Sequence, residues 1–459
     1  MENTEKYDIA IIGGGPGGYE TALYADKLNL KVCLIEENEI GGTCLNRGCI
    51  PTKTLYHFAK EINSFNKLSL YFNNNLEKLD VNYEMIYQKK EQVLADLKNG
   101  INFLIDKSNI DLIKGHGKII NNNTIHIINK KDVNNNDIYN NDIEIINANN
   151  IIIATGSSPL KGIIEGDSYA ITSDELLNMQ TLPKSLLIIG GGVIGIEMAS
   201  IFAKFGVNVE VVEMCDTILP NIDKDVSKRL TSYLQKIGVK FHLKSTIDRI
   251  IDENTIEIKT KNETKILKSQ YILMSVGRRI NINNLFDDNI NIDINKKGIV
   301  VNDDFETNIP NIYAIGDVNG KLMLAHYASS SGKKVIDKII NKENFTNFAL
   351  CPSCVFTFPE VAFIGKKEDD LKKDNIDYKT LKSMYRANGK ALSMDETDGY
   401  IKCLIQGDKL LGVSIIGEGA SDIIHQAAIL MNNNVKISEF KDYIYAHPTL
   451  SEVFKACFE

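Results

Sequence analysis

The clearest chemistry in this sequence lies in GGTCLNRGCIPTK, residues 41–53, where Cys44 and Cys49 stand five positions apart. Gly48, Pro51 and Lys53 accompany them, and Arg47 lies between them, placed either to stabilise a thiolate or to be solvated. The chain has eight cysteines and an N-terminus, MENTEKYDIAIIGG, without the charged, apolar and cleavage regions of a secretory signal. A reducing, cytoplasmic setting follows as the expectation, and cysteine pairs there are more often catalytic or metal-binding than structural. A zinc site needs four ligands, and no histidine or second cysteine pair lies nearby at zinc spacing. A structural disulfide fits poorly with the compartment. A redox-active disulfide remains, beside the plainer reading of two buried thiols. In an ideal α-helix, residues five apart have Cα atoms roughly 8–9 Å apart, whereas a disulfide tolerates less than about 7 Å. The spacing therefore predicts a distorted or looped helix start, consistent with Gly48 and Pro51. Thiolates near a helix N-terminus would also be stabilised.

Something must position these thiols, and the flanking sequence shows what. Residues 7–36 run from an apolar strand into Gly13-x-Gly15-x-x-Gly18, then a helix-like stretch, then a second strand ending in Glu36. The same plan recurs at residues 185–213, with Gly190, Gly192 and Gly195, and with Glu213 ending the second strand. Gly13 to Glu36 and Gly190 to Glu213 have the same separation. Such glycines let the backbone approach a pyrophosphate at a helix N-terminus, and the carboxylate accepts hydrogen bonds from a ribose. A lone Gly-rich turn is weak evidence, but the duplication points to two dinucleotides. Met214, Cys215 and Asp216 supply no arginine for a 2′-phosphate, so the second site favours NAD over NADP. FAD bound tightly and NAD exchanging form the natural pair, because a flavin can link a hydride carrier to a thiol.

Taken together, GGTCLNRGCIPTK and both glycine units make the chain resemble the pyridine-nucleotide–disulfide oxidoreductases. The resemblance covers essentially the whole chain, in order. Ala154-Thr155-Gly156-Ser157 is similar to the junction after the family's first domain, and Ser275-Val276-Gly277-Arg278-Arg279 to the end of its NAD domain. Ala314-Ile315-Gly316-Asp317 is similar to its second FAD motif, Thr357 to Glu360 (TFPE) to the opening of its dimerisation domain, and Ala446-His447-Pro448-Thr449-Leu450-Ser451-Glu452 to the signature around its catalytic base. The resemblance implies an α/β fold with two Rossmann-like dinucleotide-binding domains, for FAD and NAD, plus a C-terminal α+β dimerisation domain. It implies an FAD-binding domain over residues 1–148 and an NAD-binding domain over 149–276. Residues 277–345 would complete the FAD-binding domain, and 346–459 would form the interface domain.

The implied activity is oxidation of protein-bound dihydrolipoamide by NAD⁺. Cys44 would exchange with substrate and Cys49 would face the flavin. Lys53 would lie near flavin N5 and pair with Glu197, close to the nicotinamide. Asp317 would hydrogen-bond the ribityl chain, and Gly13, Gly15, Gly18, Glu36, Thr43, Gly117, Thr155, Gly156 and Ala325 would complete a non-covalent FAD site. Gly190, Gly192, Gly195, Glu213 and Gly277 would join Glu197 in holding NAD. His447, oriented by Glu452, would be the general base, reaching the disulfide of the other subunit of a homodimer. Lipoyl-bearing domains of 2-oxoacid dehydrogenase complexes, or the H protein of glycine cleavage, would be the partners. A lone histidine near a C-terminus is ordinarily structural; the surrounding match reverses that reading. Relatives commonly have His-Ala-His where this chain has Tyr445-Ala446-His447, and the retained histidine is the one assigned as base.

The remaining features are consistent. The net charge of −8 is spread without a basic stripe, which disfavours nucleic acid and anionic membrane as partners. Residues 185–203 are apolar but carry three consecutive glycines and Glu197, and read as strand, turn and buried helix rather than a membrane span. Cys351-Pro352-Ser353-Cys354 lacks the partners of a zinc site and reads as two strand-packing thiols; no metal is expected. His326 reads as packing. Asn-rich residues 121–150 read as β-hairpins with Asn turns. Glutathione and mercuric reductases are the alternatives, disfavoured by Glu213 and the lone Cys457. A non-catalytic scaffold is disfavoured by the intact set Cys44, Cys49, Lys53, His447 and Glu452.

Overall fold

The computed structural model describes residues 6–72, 81–128 and 144–459. The chain forms two compact units. One comprises Met1–Pro51, Gln88–Pro159 and Arg278–Thr346; the other Thr52–Tyr87, Leu160–Gly277 and Asn347–Glu459.

The first unit is built on strands β1 (Lys6–Ile12), β2 (Val32–Glu36), β3 (Asp111–Lys114), β4 (His116–Asn121), β5 (Thr124–Ile128) and β6 (Glu144–Ile153). Their order is β3-β2-β1-β6-β5-β4, and strand Ile312–Ala314 also pairs with β6. The β3-β2-β1-β6 part is parallel. Ile9, Ala10 and Ile11 on β1 and Val32, Cys33 and Leu34 on β2 have no exposed surface. Such unbroken apolar runs belong to strands covered on both faces, and each buried Ile or Leu contributes roughly 1.5–3 kcal/mol. Helix α1 (Pro16–Asp26) lies against helix Ala325–Ile339. β4 and β5 form an antiparallel hairpin through Asn122 and Asn123, and β5 pairs antiparallel with β6. The expected Asn-turned hairpin is therefore present over 116–128; residues 129–143 lie outside the described residues.

The second unit contains a four-stranded parallel sheet ordered Lys240–Leu243, Asn208–Glu213, Ser185–Ile189, Tyr271–Met274. An antiparallel meander follows, Thr246–Asp252, Thr255–Lys259 and Thr264–Lys268. Helix Val193–Lys204 buries Ile196, Met198, Ala199, Ile201 and Phe202 against the parallel sheet. The apolar stretch 185–203 is thus strand, turn and buried helix, and no helix of the described residues is long and apolar enough to cross a membrane. The C-terminal part is a five-stranded antiparallel sheet ordered Ser353–Val355, Val361–Gly365, Lys409–Ile416, Tyr400–Gln406, Lys379–Met384. Helix Ala420–Asn432 packs on it, and Phe440, Phe454 and Phe458 meet with ring centroids 5.3–5.6 Å apart. The expected class, α/β with two nucleotide-type folds and a C-terminal α+β part, is the one observed.

Candidate active site

Both glycine turns adopt one geometry. Gly13 and Gly190 take φ of +109° and +106°, and their N–H groups donate to Ile35 O and Val212 O at 2.8 and 2.9 Å. Helix α1 opens immediately after Gly15, and helix Val193–Lys204 immediately after Gly192, with no acid in either first turn. Each strand-end glutamate ties back to its turn. Glu36 accepts from Gly14 N and Asn38 N, both at 2.6 Å; Glu213 accepts from Gly191 N at 2.6 Å and Cys215 N at 2.7 Å. A Cβ at Gly18 would meet Gly13 O at 1.8 Å, and one at Gly195 would meet Gly190 O at 2.2 Å. Gly192 has nothing within 4 Å of such an atom, and Gly15 only Gly42 Cα at 3.9 Å. The middle glycines therefore leave open space over a helix N-terminus, which fits a pyrophosphate in each copy.

In the first unit a cavity of about 300 Å³ is lined by Gly13, Glu36, His116, Gly117, Thr155 and Asn281 among others. Asn281 is held in the lining by two bonds: its N–H donates to Gly156 O at 3.0 Å, and its O accepts from Thr155 Oγ1 at 2.6 Å. Gly156 itself has φ +69°. Asp317 accepts from Ser157 Oγ at 2.6 Å, and Arg278 donates to Ser157 through Nε at 2.7 Å and Nη2 at 2.6 Å. Ser157 and Arg278 belong to the motifs quoted above, although their link to Asp317 is visible only in three dimensions. Ala325 opens its helix, and Thr43 lies half-buried in α2 (Gly42–Arg47).

The helix interruption demanded by the cysteine spacing is present. Cys44 lies in α2, which ends at Arg47; Gly48, with φ −144° and ψ −106°, breaks the run, and α3 (Cys49–Leu68) begins at Cys49. Cys44 is half-buried and Cys49 exposed. Cys49 occupies the first turn of a 20-residue helix, where the positive end of the helix dipole favours negative charge. Burial, and then nearby Glu20 and Cys44, push the Tyr19 phenol up to about 12, so it stays neutral.

In the second unit Lys53 Nζ lies 3.0 and 2.9 Å from the two oxygens of Glu197. The ring of Phe356 lies 4.2 Å from the same ammonium, and Phe356 N–H donates to Glu197 Oε1 at 2.9 Å. One turn along that helix, Ser200 Oγ accepts from Phe358 N–H at 3.0 Å. The TFPE segment is thereby held on the helix that carries Glu197. Its Glu360 is buried, accepting from Tyr56 Oη at 3.1 Å and Ser421 Oγ at 2.8 Å.

His447 stands on an exposed loop with Nδ1 2.9 Å from Glu452 Oε1. Thr449 N–H donates to the other oxygen at 2.7 Å. The Thr449 N–H and then His447 hold the Glu452 carboxyl below its usual range. An ionised carboxylate can only accept, which places the imidazole proton on Nδ1 and leaves the Nε2 lone pair outward; the side chain is 77% exposed. Lys53 is thus joined to Glu197 and His447 to Glu452 in the second unit, whereas Cys44 and Cys49 belong to the first. Burial pushes the Cys351 and Cys354 thiols up to about 11 and 12; they lie along an extended segment and its strand, as packing thiols would. No group of metal-ligating side chains occurs among the described residues.

Comparison with known proteins follows the same lines. A family profile described as pyridine nucleotide-disulphide oxidoreductase matches residues 7–332, and one for the dimerisation domain of that family matches 351–457. Dihydrolipoyl dehydrogenase of Chlamydia trachomatis serovar D is 35% identical over 457 residues, covering 98% of this chain and 96% of its own. The Bacillus subtilis strain 168 protein of that name is 36% identical, with 97% and 96% covered. Leghemoglobin reductase of Glycine max is 32% identical, with 98% and 87% covered. Among solved structures, the HOCl-induced flavoprotein disulfide reductase RclA of Escherichia coli superposes with a TM-score of 0.85 at 28% identity, covering 98% of this chain and 99% of its own. The chain belongs to the pyridine nucleotide-disulphide oxidoreductases, enzymes that work with FAD and NAD(H).

Proposed function

We propose that this chain oxidises protein-bound dihydrolipoamide to lipoamide through a Cys44–Cys49 disulfide, with NAD⁺ as final acceptor. The observation that carries the reading is the His447–Glu452 pair, 2.9 Å apart, with Nε2 directed outward. Ordinary thiols titrate near about 8.5, so a dithiol at neutral pH needs a base to become a nucleophile. His447 Nε2 takes a proton from one substrate thiol, and the thiolate attacks the Cys44 sulfur. The Cys44–Cys49 bond breaks, Cys49 leaves as thiolate, and a mixed disulfide forms at Cys44. The second substrate thiol then displaces Cys44. Lipoamide carries the new S–S bond, and Cys44 and Cys49 carry the two electrons. Bound FAD supplies the two-electron link between these thiols and the nicotinamide.

The assignment of chain to cofactor is part of the proposal. Residues 1–148 with 277–345, together with Thr155 and Gly156 of the junction after the first domain, bind FAD; the other contributors are Gly13, Gly15, Gly18, Glu36, Thr43, Lys53, Gly117, Asp317 and Ala325. Residues 149–276 bind NAD through Gly190, Gly192, Gly195, Glu197 and Glu213, with Gly277 adjoining at the segment's end. Residues 346–459 form a homodimer in which His447 and Glu452 of one subunit serve the disulfide of the other. The match to a dimerisation domain over 351–457 supports this, as does the exposure of the loop around His447, where Ile444 is 99% exposed. The lipoyl group would come from a 2-oxoacid dehydrogenase complex or the glycine cleavage H protein. Relatives named dihydrolipoyl dehydrogenase along nearly the whole chain favour that substrate over other disulfides.

The test is an assay of purified holoenzyme with NADH and NADPH, each against lipoamide and oxidised glutathione. Turnover restricted to NADH with lipoamide is expected. Cys49→Ser should abolish it, and wild-type turnover in that variant would overturn the redox-centre assignment.

A further inference from the structure

One side chain holds both ends of the loop that carries His447. Gln426, in helix Ala420–Asn432, accepts at Oε1 from the Tyr445 phenol at 2.8 Å. It donates from Nε2 to Ser451 Oγ, also at 2.8 Å. Tyr445 precedes His447 by two residues, and Ser451 immediately precedes Glu452. Between these anchors Ala446, His447 and Pro448 are exposed. A further tie to another element is Asn388 Nδ2, donating to Thr449 O at 3.0 Å.

The anchors are well founded. Tyr445 is half-buried with its ring edge-on to Phe440 at 5.9 Å, and burial pushes its phenol up to about 12, so the hydroxyl remains a donor. Phe440 in turn packs on Phe454 and Phe458. A phenol at 445 spans from this aromatic cluster to the Gln426 amide.

We propose that Gln426 is a positioning residue for His447 and Glu452: its amide clasps Tyr445 to Ser451 and fixes the loop from which the imidazole projects. The inference rests on the reading of His447 as the general base. Without the clasp, the segment from Tyr445 to Ser451 keeps the Asn388 hydrogen bond and the apolar packing of Tyr445 and Leu450, but loses the polar tie that joins its two ends. Misplacement of a catalytic group by about 1 Å can cost up to about a hundredfold in rate.

The experiment uses holoenzyme variants Gln426→Leu, Gln426→Glu, Tyr445→Phe, the double variant Gln426→Leu/Tyr445→Phe, and His447→Gln. Gln426→Leu should lower kcat for dihydrolipoamide oxidation about ten- to a hundredfold and leave NADH oxidation by ferricyanide unchanged, since that reaction needs no base for a substrate thiol. Flavin content and melting temperature should stay near wild type. Gln426→Glu, whose carboxylate accepts from both hydroxyls, should restore most of the rate. Tyr445→Phe should act in the same direction, and the double variant should be no slower than the worse single one. A Gln426→Leu enzyme with the wild-type rate and pH profile overturns the clasp, as does a parallel loss of ferricyanide activity. Should Gln426→Leu fold poorly, Tyr445→Phe decides, because it deletes one hydroxyl and keeps the ring; a wild-type rate in that variant overturns the clasp equally. If His447→Gln also oxidises dihydrolipoamide normally, the base assignment itself falls; if only the Gln426 and Tyr445 variants do, the clasp alone falls.

Discussion

Lys53 Nζ bridges both oxygens of Glu197, at 3.0 and 2.9 Å, and thereby joins α3 to helix Val193–Lys204. The carboxylate is buried, with 7% of its side chain exposed, while Lys53 retains 31%. Removing the cation strands a buried charge whose other donor is the Phe356 N–H. Unpaired buried charges cost about 3–5 kcal/mol, and partial solvation of Lys53 reduces the figure to about 1–3 kcal/mol. Lys53→Met should therefore lower the melting temperature of the holoenzyme, and Lys53→Met/Glu197→Gln should recover part of the loss. Equal melting temperatures for the single and double variants would refute the account.

The two glycines of the second dinucleotide turn separate packing from binding. A Cβ at Gly195 would lie 2.2 Å from Gly190 O, whereas one at Gly192 would have nothing within 4 Å. Gly195→Ala should cost about 1–3 kcal/mol by overpacking and lower the melting temperature. Gly192→Ala should fold as wild type and raise the KM for NADH, since its methyl occupies the space proposed for the pyrophosphate. Thermal unfolding and NADH titration distinguish the two; a stable Gly195→Ala protein would contradict the packing argument.

Much of this was legible in the sequence because it is local. The paired glycine turns, their terminal glutamates and the helix break at Gly48 each span fewer than thirty residues, where sterics and spacing decide the outcome. Among features that depend on distant segments, the Lys53–Glu197 pair came only through the family resemblance, and the others were not legible. Gln426 carries no motif, and its hydroxyl partners lie 19 and 25 residues away. Phe356 meets Glu197 across 159 positions, and Asn281 meets Thr155 across 126. Such contacts follow from which strands neighbour one another, and that order is set by the packing of whole sheets. Tyr445 is instructive: the sequence marks it as a departure from its relatives, but only the fold shows what its hydroxyl reaches.

Glu452 fixes the tautomer of His447, which makes Glu452→Gln informative. An amide N–H facing Nδ1 would make that nitrogen an acceptor and move the ring proton to Nε2, removing the lone pair proposed as the base. General-base contributions run from about 10² to 10⁴, so dihydrolipoamide oxidation should fall by about a hundredfold or more while ferricyanide reduction persists. Wild-type Glu452 has its carboxyl held below the usual range by Thr449 N–H and His447. Its contribution to loop order is thus complete above about pH 4.3 and is lost only as the pH falls further, through the lowered native value. Kinetics at pH 5 and above should show no transition from Glu452. A carboxylate titration appearing there would contradict the assigned hydrogen bonds.

Lys402 has no exposed surface, and its Nζ lies 2.9 Å from Asp223, 2.5 Å from Asp225 and 3.5 Å from Glu368. Asp223 is nearly as buried and also accepts from Ser414 Oγ at 2.7 Å and Glu368 N–H at 3.0 Å. Burial opposes charge on Lys402, but the hydrogen bond to Asp225 and the charge of Asp223 reverse the balance and raise its pKa. For Asp225, burial is outweighed by Lys382 and Lys402, and its carboxyl is held down to about 2. Signs follow from the direction of each shift. The raised lysine contributes stability that is full below about pH 10.4, its unfolded value, and fades as the pH rises through its native value. The depressed Asp225 contributes stability that is full above about pH 3.9 and fades as the pH falls towards 2. Between these limits the cluster should hold the melting temperature level. Lys402→Met leaves Asp223 buried without its cation, at a cost of about 3–5 kcal/mol near neutrality. At pH 3 the carboxylates of the variant can take up protons, so the deficit should shrink there. Calorimetric melting of wild type and variant at pH 7 and pH 3 measures both deficits. An equal deficit at the two pH values would mean that Lys402 contributes through packing rather than charge.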